Sequence, residues 1–138
     1  MVQVIEDLPL EQKLASGATH YIDIPSIPWE PAPFPGVQVK VLYNDPKTGM
    51  STVLAKLEPG AKIPLHEHVG VEQTYVLEGS LEDHEGKATA GNFCWRAPGN
   101  THVAHAPNGA IVLSFFTKPN RFYNGAQHLA DYVAGKKG

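Results

Sequence analysis

The stretch GAKIPLHEHVGVEQTYVLEG, from Gly60 to Gly79, sets two histidines one residue apart and a glutamate four residues after the second. Its Ile, Leu, Val, Thr and Tyr favour extended backbone, and the flanking glycines bound it as turns do. In a strand, residues i and i+2 share a face about 7 Å apart along the backbone, so His66 and His68 present two imidazoles to one side. Val69-Gly70 permits a reversal, and a strand returning from Val71 brings Glu72 back beside them. Two imidazoles and a carboxylate buried in a β core cost on the order of several kcal/mol unless a shared cation compensates them. The expectation is a divalent metal held by His66, His68 and Glu72; the alternative is an exposed loop tip.

Outward from this stretch, thirteen glycines and twelve prolines break the chain at short intervals, and the intervening segments are rich in β-formers. That pattern predicts an all-β fold. Strands are expected at 19–24, 37–43, 51–58, 63–68, 71–79, 80–86, 92–97, 102–106 and 110–118. In 51–58 the alternation sets Val53, Ala55 and Leu57 on one face, as in a half-buried strand of a barrel or sandwich. Turns at 44–49, 58–60, 97–100 and 106–109 carry the Pro, Asn, Asp and Gly of tight reversals and imply antiparallel neighbours. The segment 25–36 holds five prolines in twelve residues and is expected to run as an extended surface arm. Near the end, Ala126, Leu129, Tyr132 and Val133 fall at helical spacing ahead of Gly135, Lys136 and Lys137, which predicts a short helix over 125–135.

At 138 residues, with 42% apolar, the chain closes one hydrophobic core rather than two. The expected division is an N-terminal extension with the proline-rich arm at 1–36, a barrel at 37–118 and a tail with the short helix at 119–138. The net charge is −3 and the eleven basic residues are scattered, which argues against nucleic acid as a partner. No run of about 18 apolar residues exists to cross a membrane, and the N-terminal MVQVIEDLPLEQKL carries acids where a secretory signal carries basic residues. A single cysteine, Cys94, forms no internal disulfide, consistent with a reducing compartment. A cytoplasmic location is expected.

The spacing Gly60-x5-His66-x-His68-x3-Glu72-x6-Gly79 resembles the first motif of the cupin superfamily without departure. Gly91, Gly99 and His102 keep the spacing of the second motif, although Pro98 is displaced by one position and Ala106 stands where Asn is usual. The resemblance implies a single small cupin barrel, a double-stranded β-helix of jelly-roll type, with His102 as a further ligand beside His66, His68 and Glu72. Within the superfamily, 37–118 is most similar to the cupin domain of ChrR-like anti-sigma factors and to small iron dioxygenases that cleave acetylacetone or dihydroxyacetophenone.

Three imidazoles and a carboxylate suit Fe(II), Zn(II), Mn(II), Ni(II) or copper. With Fe(II), open coordination positions would admit dioxygen and a chelating enolate. The resemblance therefore implies a non-heme Fe(II) dioxygenase that breaks a C–C bond of a small diketone or hydroxyketone. Glu72, Tyr75 and Arg96 are the candidate catalytic residues. Tyr75, Leu77, Phe93, Trp95, Phe115 and Phe116 are either pocket wall or core. Alternation in 92–96 lets only one of the pairs Cys94/Arg96 and Phe93/Trp95 face the cavity, and Arg96 inside would favour an acidic substrate. The competing readings are a non-catalytic zinc-binding sensor of ChrR type and a metal-dependent isomerase or lyase. The sensor reading lacks room for a sigma-binding domain within the 36 residues before Val37. His84 and His105 are expected at surface or edge positions, His128 on the helix without a chemical role, and Cys94 as a small buried hydrophobe. Family habit implies a homodimer.

Overall fold

The structure, a computed structural model, describes residues 8–137, so the first seven residues of the expected N-terminal extension lie outside it. Ten strands form a curled antiparallel assembly: β1 (Glu30–Pro31), β2 (Val37–Asn44), β3 (Ser51–Leu57), β4 (Ala61–Glu67), β5 (Glu72–Glu82), β6 (Lys87–Thr89), β7 (Phe93–Arg96), β8 (Thr101–Ala106), β9 (Ala110–Phe116) and β10 (Arg121–Phe122). Helices α1 (Leu10–Ser16) and α2 (Leu129–Lys137) flank them. The described residues thus form the expected all-β jelly roll with a short C-terminal helix.

Two sheets face each other and share β5. Its residues 72–79 pair with β9 and 72–75 also with β7, whereas 80–82 pair with β6 and Glu82 faces His105 of β8. The strand can serve both sheets because the ladder skips a residue between Val76 and Glu78 and Gly79 follows at φ +71. A bulge increases the local twist, and glycine alone adopts positive φ without cost. A Cβ at Gly79 would meet the Gly109 carbonyl oxygen at 2.0 Å.

Between the sheets lie Val39, Val53, Ala55, Val76, Ala104 and Val112, all buried, each from the inward phase of its strand. The expected face of β3 is the buried one. Four segments depart from the sequence reading. Residues 19–23 form no strand, and 24–26 make a single 3-10 turn, because Pro25 withholds the donor that a ladder needs. The proline arm is more than a surface strap: Glu30–Pro31 pairs with the outer edge of β2, and Phe34 is buried against Phe122, ring centroids 5.1 Å apart. The strand expected at 80–86 is the end of β5 followed by a turn. The expected helix begins later, at Leu129, with Leu129, Ala130 and Val133 packed into the core.

Candidate metal centre

Strand β4 delivers the first histidines. Pro64 interrupts its pairing with β8, and the register slips between Ile63 and His66. The slip leaves the Pro64 carbonyl free to accept from the Nδ1–H of His66 at 2.7 Å. Leu65 turns outward, while His66 and His68 both point in and are buried. His68 is clamped by the turn after β7: its N–H donates to the Asn100 carbonyl and its carbonyl accepts from Gly99 N–H, each at 2.8 Å. His102 of β8 sits directly opposite His66 in the ladder. The Nε2 of His102 is 3.0 Å from that of His66 and 2.9 Å from that of His68. Among the described residues these three form the cluster of ligand-type side chains able to share an ion.

The surrounding hydrogen bonds fix what the imidazoles present. Because the Pro64 carbonyl can only accept, His66 carries its proton on Nδ1 and turns an Nε2 lone pair inward. Asp83 Oδ2 accepts from His102 Nδ1–H at 2.8 Å, which sets the same tautomer there. Two lone pairs therefore face each other across 3.0 Å with no proton between them, an arrangement that a shared cation stabilises. Burial is the main cause that holds all three imidazoles neutral. His66 lies below its usual pKa; His68, with the neighbouring imidazoles adding to burial, falls to about 2; His102, disfavoured also by Arg96 and partly supported by Asp83, falls to about 4. Neutral imidazole is the form that ligates metal.

The three imidazoles would supply three ligands to a metal and, with no fourth ligand-type side chain in the cluster among the described residues, would leave its remaining positions for exogenous ligands.

Glu72 stands beside the trio rather than within it. It is the first residue of β5, opposite Arg96 of β7 in the ladder, and its Oε1 accepts from the Arg96 guanidinium at 2.8 Å. Its Oε2 is 3.7 Å from Nδ1 of His68, the nitrogen turned away from the His102 contact. That Nδ1 is buried without a hydrogen bond; Glu72 and Asn120 are its polar neighbours. A metal on Nε2 would place the proton of His68 on Nδ1, facing the Glu72 carboxylate. Burial pushes the Glu72 pKa up, against the opposing pull of Arg96.

Arg96 points inward, with Cys94 on the same side of β7, while Phe93 and Trp95 face out. Its guanidinium lies 3.6 Å from Asp83 as well as on Glu72, so one cation joins the two carboxylates that address His68 and His102. Tyr75 is not brought to the site. It alternates with Glu72, Thr74 and Val76 along β5 and is 39% exposed on the outer face. Leu77, Phe93, Trp95 and Phe115 share that outward exposure; of the expected wall residues Phe116 faces the interior cavity. His84 and His105 lie outside, beside Glu85 and Glu82.

Asp83 escaped the sequence reading. Its Oδ1 accepts from the N–H of Glu85 at 2.8 Å and of Gly86 at 3.1 Å, a turn that aims Oδ2 at His102. Partial burial works against the carboxylate, but the bonds from His102 and Glu85 outweigh it and its pKa is lowered. The signal in the sequence, Asp83-x-x-Gly86, announces a turn and nothing of a histidine nineteen residues on.

The fold has known counterparts. A candidate acetylacetone dioxygenase from Methylibium petroleiphilum superposes with TM-score 0.76 at 20% identity, over 88% of this chain and 96% of the other. The acetylacetone dioxygenase of Acinetobacter johnsonii gives 0.75 at 22%, over 85% and 90%. The anti-sigma factor ChrR of Rhodobacter sphaeroides, solved with SigE, gives 0.59 at 23%, over 67% of this chain and half of the other. No curated protein sequence matches the chain at a significant level. The model of the ChrR cupin-like domain, however, matches residues 18–121, which include the three converging histidines and every strand from β1 to β9, and the chain accordingly belongs to that cupin family.

Proposed function

We propose that this cupin is a non-heme Fe(II) dioxygenase that cleaves a C–C bond in a small β-diketone or hydroxyketone. One observation supports this reading above others: three neutral imidazoles converge with no fourth ligand-type side chain in their cluster among the described residues, which would leave coordination positions open where a closed structural zinc site supplies four protein ligands. The similarity to two acetylacetone dioxygenases points the same way, at an identity that by itself speaks only for the fold. In this reading His66, His68 and His102 are the ligands, and Glu72 acts from beside them.

Iron, when bound, would supply a Lewis acid for a chelating enolate and electrons for dioxygen. The chain supplies the rest. Pro64 and Asp83 hold two ligands in one tautomer and orientation. Glu72, its pKa raised, is the group to take the proton from the central carbon of the diketone at Oε2, with Oε1 kept in place by Arg96. The apolar wall of Val53, Ala55, Val112, Phe116 and Phe122 excludes bulk water from the reacting carbons. With both oxygen atoms of dioxygen retained, a β-diketone yields a carboxylic acid and a 1,2-dicarbonyl fragment.

The family match to the ChrR domain favours a second reading, a zinc-binding sensor without turnover. Metal content by mass spectrometry, followed by oxygen uptake of the Fe(II)-loaded protein with a diketone panel, separates the two. Stoichiometric iron and substrate-dependent uptake are expected; tight zinc with no uptake under any substrate would end the dioxygenase reading.

We also assign a homodimer to the chain. Tyr75, Phe93, Trp95 and Phe115 expose 39%, 52%, 63% and 42% of their surface on one outer face of β5, β7 and β9. At about 150–250 Å² per aromatic side chain, they leave roughly 400 Å² of apolar area uncovered. A second copy of the same face, with its polar surround, reaches the size of a stable interface.

A further inference from the structure

The chamber lined by His66, His102 and Glu72 has a volume of about 40 Å³. That is room for about three water molecules, where sites for small organic ligands run to about 300–1,000 Å³. Dioxygen fits; a five-carbon diketone does not. Most of the chamber wall is packed core: side chains of β3 and β9, Phe122 tilted against the His66 ring with centroids 4.9 Å apart, and Leu129 of α2.

On the other side of Arg96 lies a cavity of about 460 Å³, lined by the 83–88 turn and by β7 through Asn100. Leu81 and Arg96 are the residues common to both cavities. Arg96 is also the one of the two with a long, rotatable side chain, and ion pairs to Glu72 and Asp83 hold it across the boundary. The charges in the outer cavity are not balanced alike. Asp83 is engaged by His102, Arg96 and two backbone N–H groups, and Glu85 accepts from the Asn100 side chain at 2.7 Å. Lys87, exposed, has no ion pair among the described residues; it and Arg96 are the cations of a wall that also carries the carboxylates of Asp83 and Glu85.

We propose that the outer cavity is the binding vestibule for a small planar organic anion, an enolate or carboxylate, and that Arg96 is the door between it and the metal chamber. The anion docks against Lys87, and as Arg96 swings toward it the chelating end enters beside the histidines. The inference rests on the proposed metal site but not on turnover, so its test reads ligation and access rather than oxygen uptake.

Cys94, the one cysteine of the chain, lines the vestibule on the same face of β7 as Arg96 and serves as a plug point. The Co(II)-loaded protein is mixed with azide or with acetylacetonate, and ligation is followed in the visible spectrum before and after Cys94 is alkylated with N-ethylmaleimide. Alkylation is expected to slow acetylacetonate at least tenfold and to leave azide within twofold; Arg96→Met should speed acetylacetonate entry. A metal-independent arm follows the alkylation itself: acetylacetonate should protect Cys94 at least fivefold in the wild-type protein, and Lys87→Glu should abolish the protection. An unchanged acetylacetonate rate after alkylation, equal slowing of both ligands, or protection that survives Lys87→Glu would each overturn the proposal.

Discussion

A histidine's usefulness to a metal is decided by its other nitrogen. His66 is oriented by a carbonyl that exists for it because Pro64 breaks the ladder, and His102 by the Asp83 carboxylate. Removing such a partner costs about 10–100-fold in metal affinity. Asp83→Ala should therefore weaken metal binding by that factor in competition with a chromophoric chelator while the far-ultraviolet circular dichroism stays unchanged. Glu72→Gln keeps the shape beside His68 and removes the proposed base; the expected outcome is stoichiometric metal with oxygen uptake reduced at least a hundredfold. His66 and His68 were legible in the sequence because a strand carries i and i+2 on one face, and Glu72 because a reversal at Val69-Gly70 returns it beside them; neither signal needs tertiary knowledge. Asp83 was illegible, since what makes it matter is a neighbour that only folding brings to 2.8 Å.

Elements depend on backbone features that one substitution can test. Gly79 lets β5 leave one sheet for the other, and any Cβ there meets the Gly109 backbone. Gly79→Ala should destabilise the protein by about 2–4 kcal/mol in urea unfolding, strain and clash together. The C-terminal element is locked by His128, whose Nδ1 accepts from Asn120 N–H at 3.2 Å while Nε2–H donates to Ser51 Oγ at 3.1 Å. Burial, with a smaller contribution from His66, lowers its pKa to about 4 from 6.5. The unfolded chain thus binds the extra proton more readily, and the stability carried by neutral His128 is complete above pH 6.5 and lost as pH falls toward 4. His68 and His102 shift in the same direction and add to the slope in the metal-free protein. About 3 kcal/mol belongs to His128 across that window. Urea midpoints at pH 7 and pH 5 should differ less in His128→Asn than in the wild type. The strands of the barrel were legible from alternation and turn residues, whereas 19–23 shows the limit of that reading: β-formers without a partner edge make no strand.

At the scale of the molecule, a bound metal and, in the proposed dimer, a second copy would both enter the stability of the fold. An ion at a hundred times its dissociation constant adds about 2.7 kcal/mol. Chelation should then lower the melting temperature by roughly 10 °C for a chain of this size, and added metal should restore it. Phe93→Glu with Phe115→Glu places charge in the outer aromatic face, clear of the histidines, and should yield monomers in light scattering without loss of metal. The amino-acid sequence by itself determined the jelly roll and the three histidines, because a two-residue period, turn glycines and motif spacing are local and survive without coordinates. Only the tertiary structure decided which face of β5 and β7 looks inward. That choice sends Tyr75, Phe93 and Trp95 out, turns Arg96 in, and makes Asp83 and Glu72 the anions around the trio. A strand's alternation is symmetric between its two sides, and what breaks the symmetry is the packing of one sheet on the other.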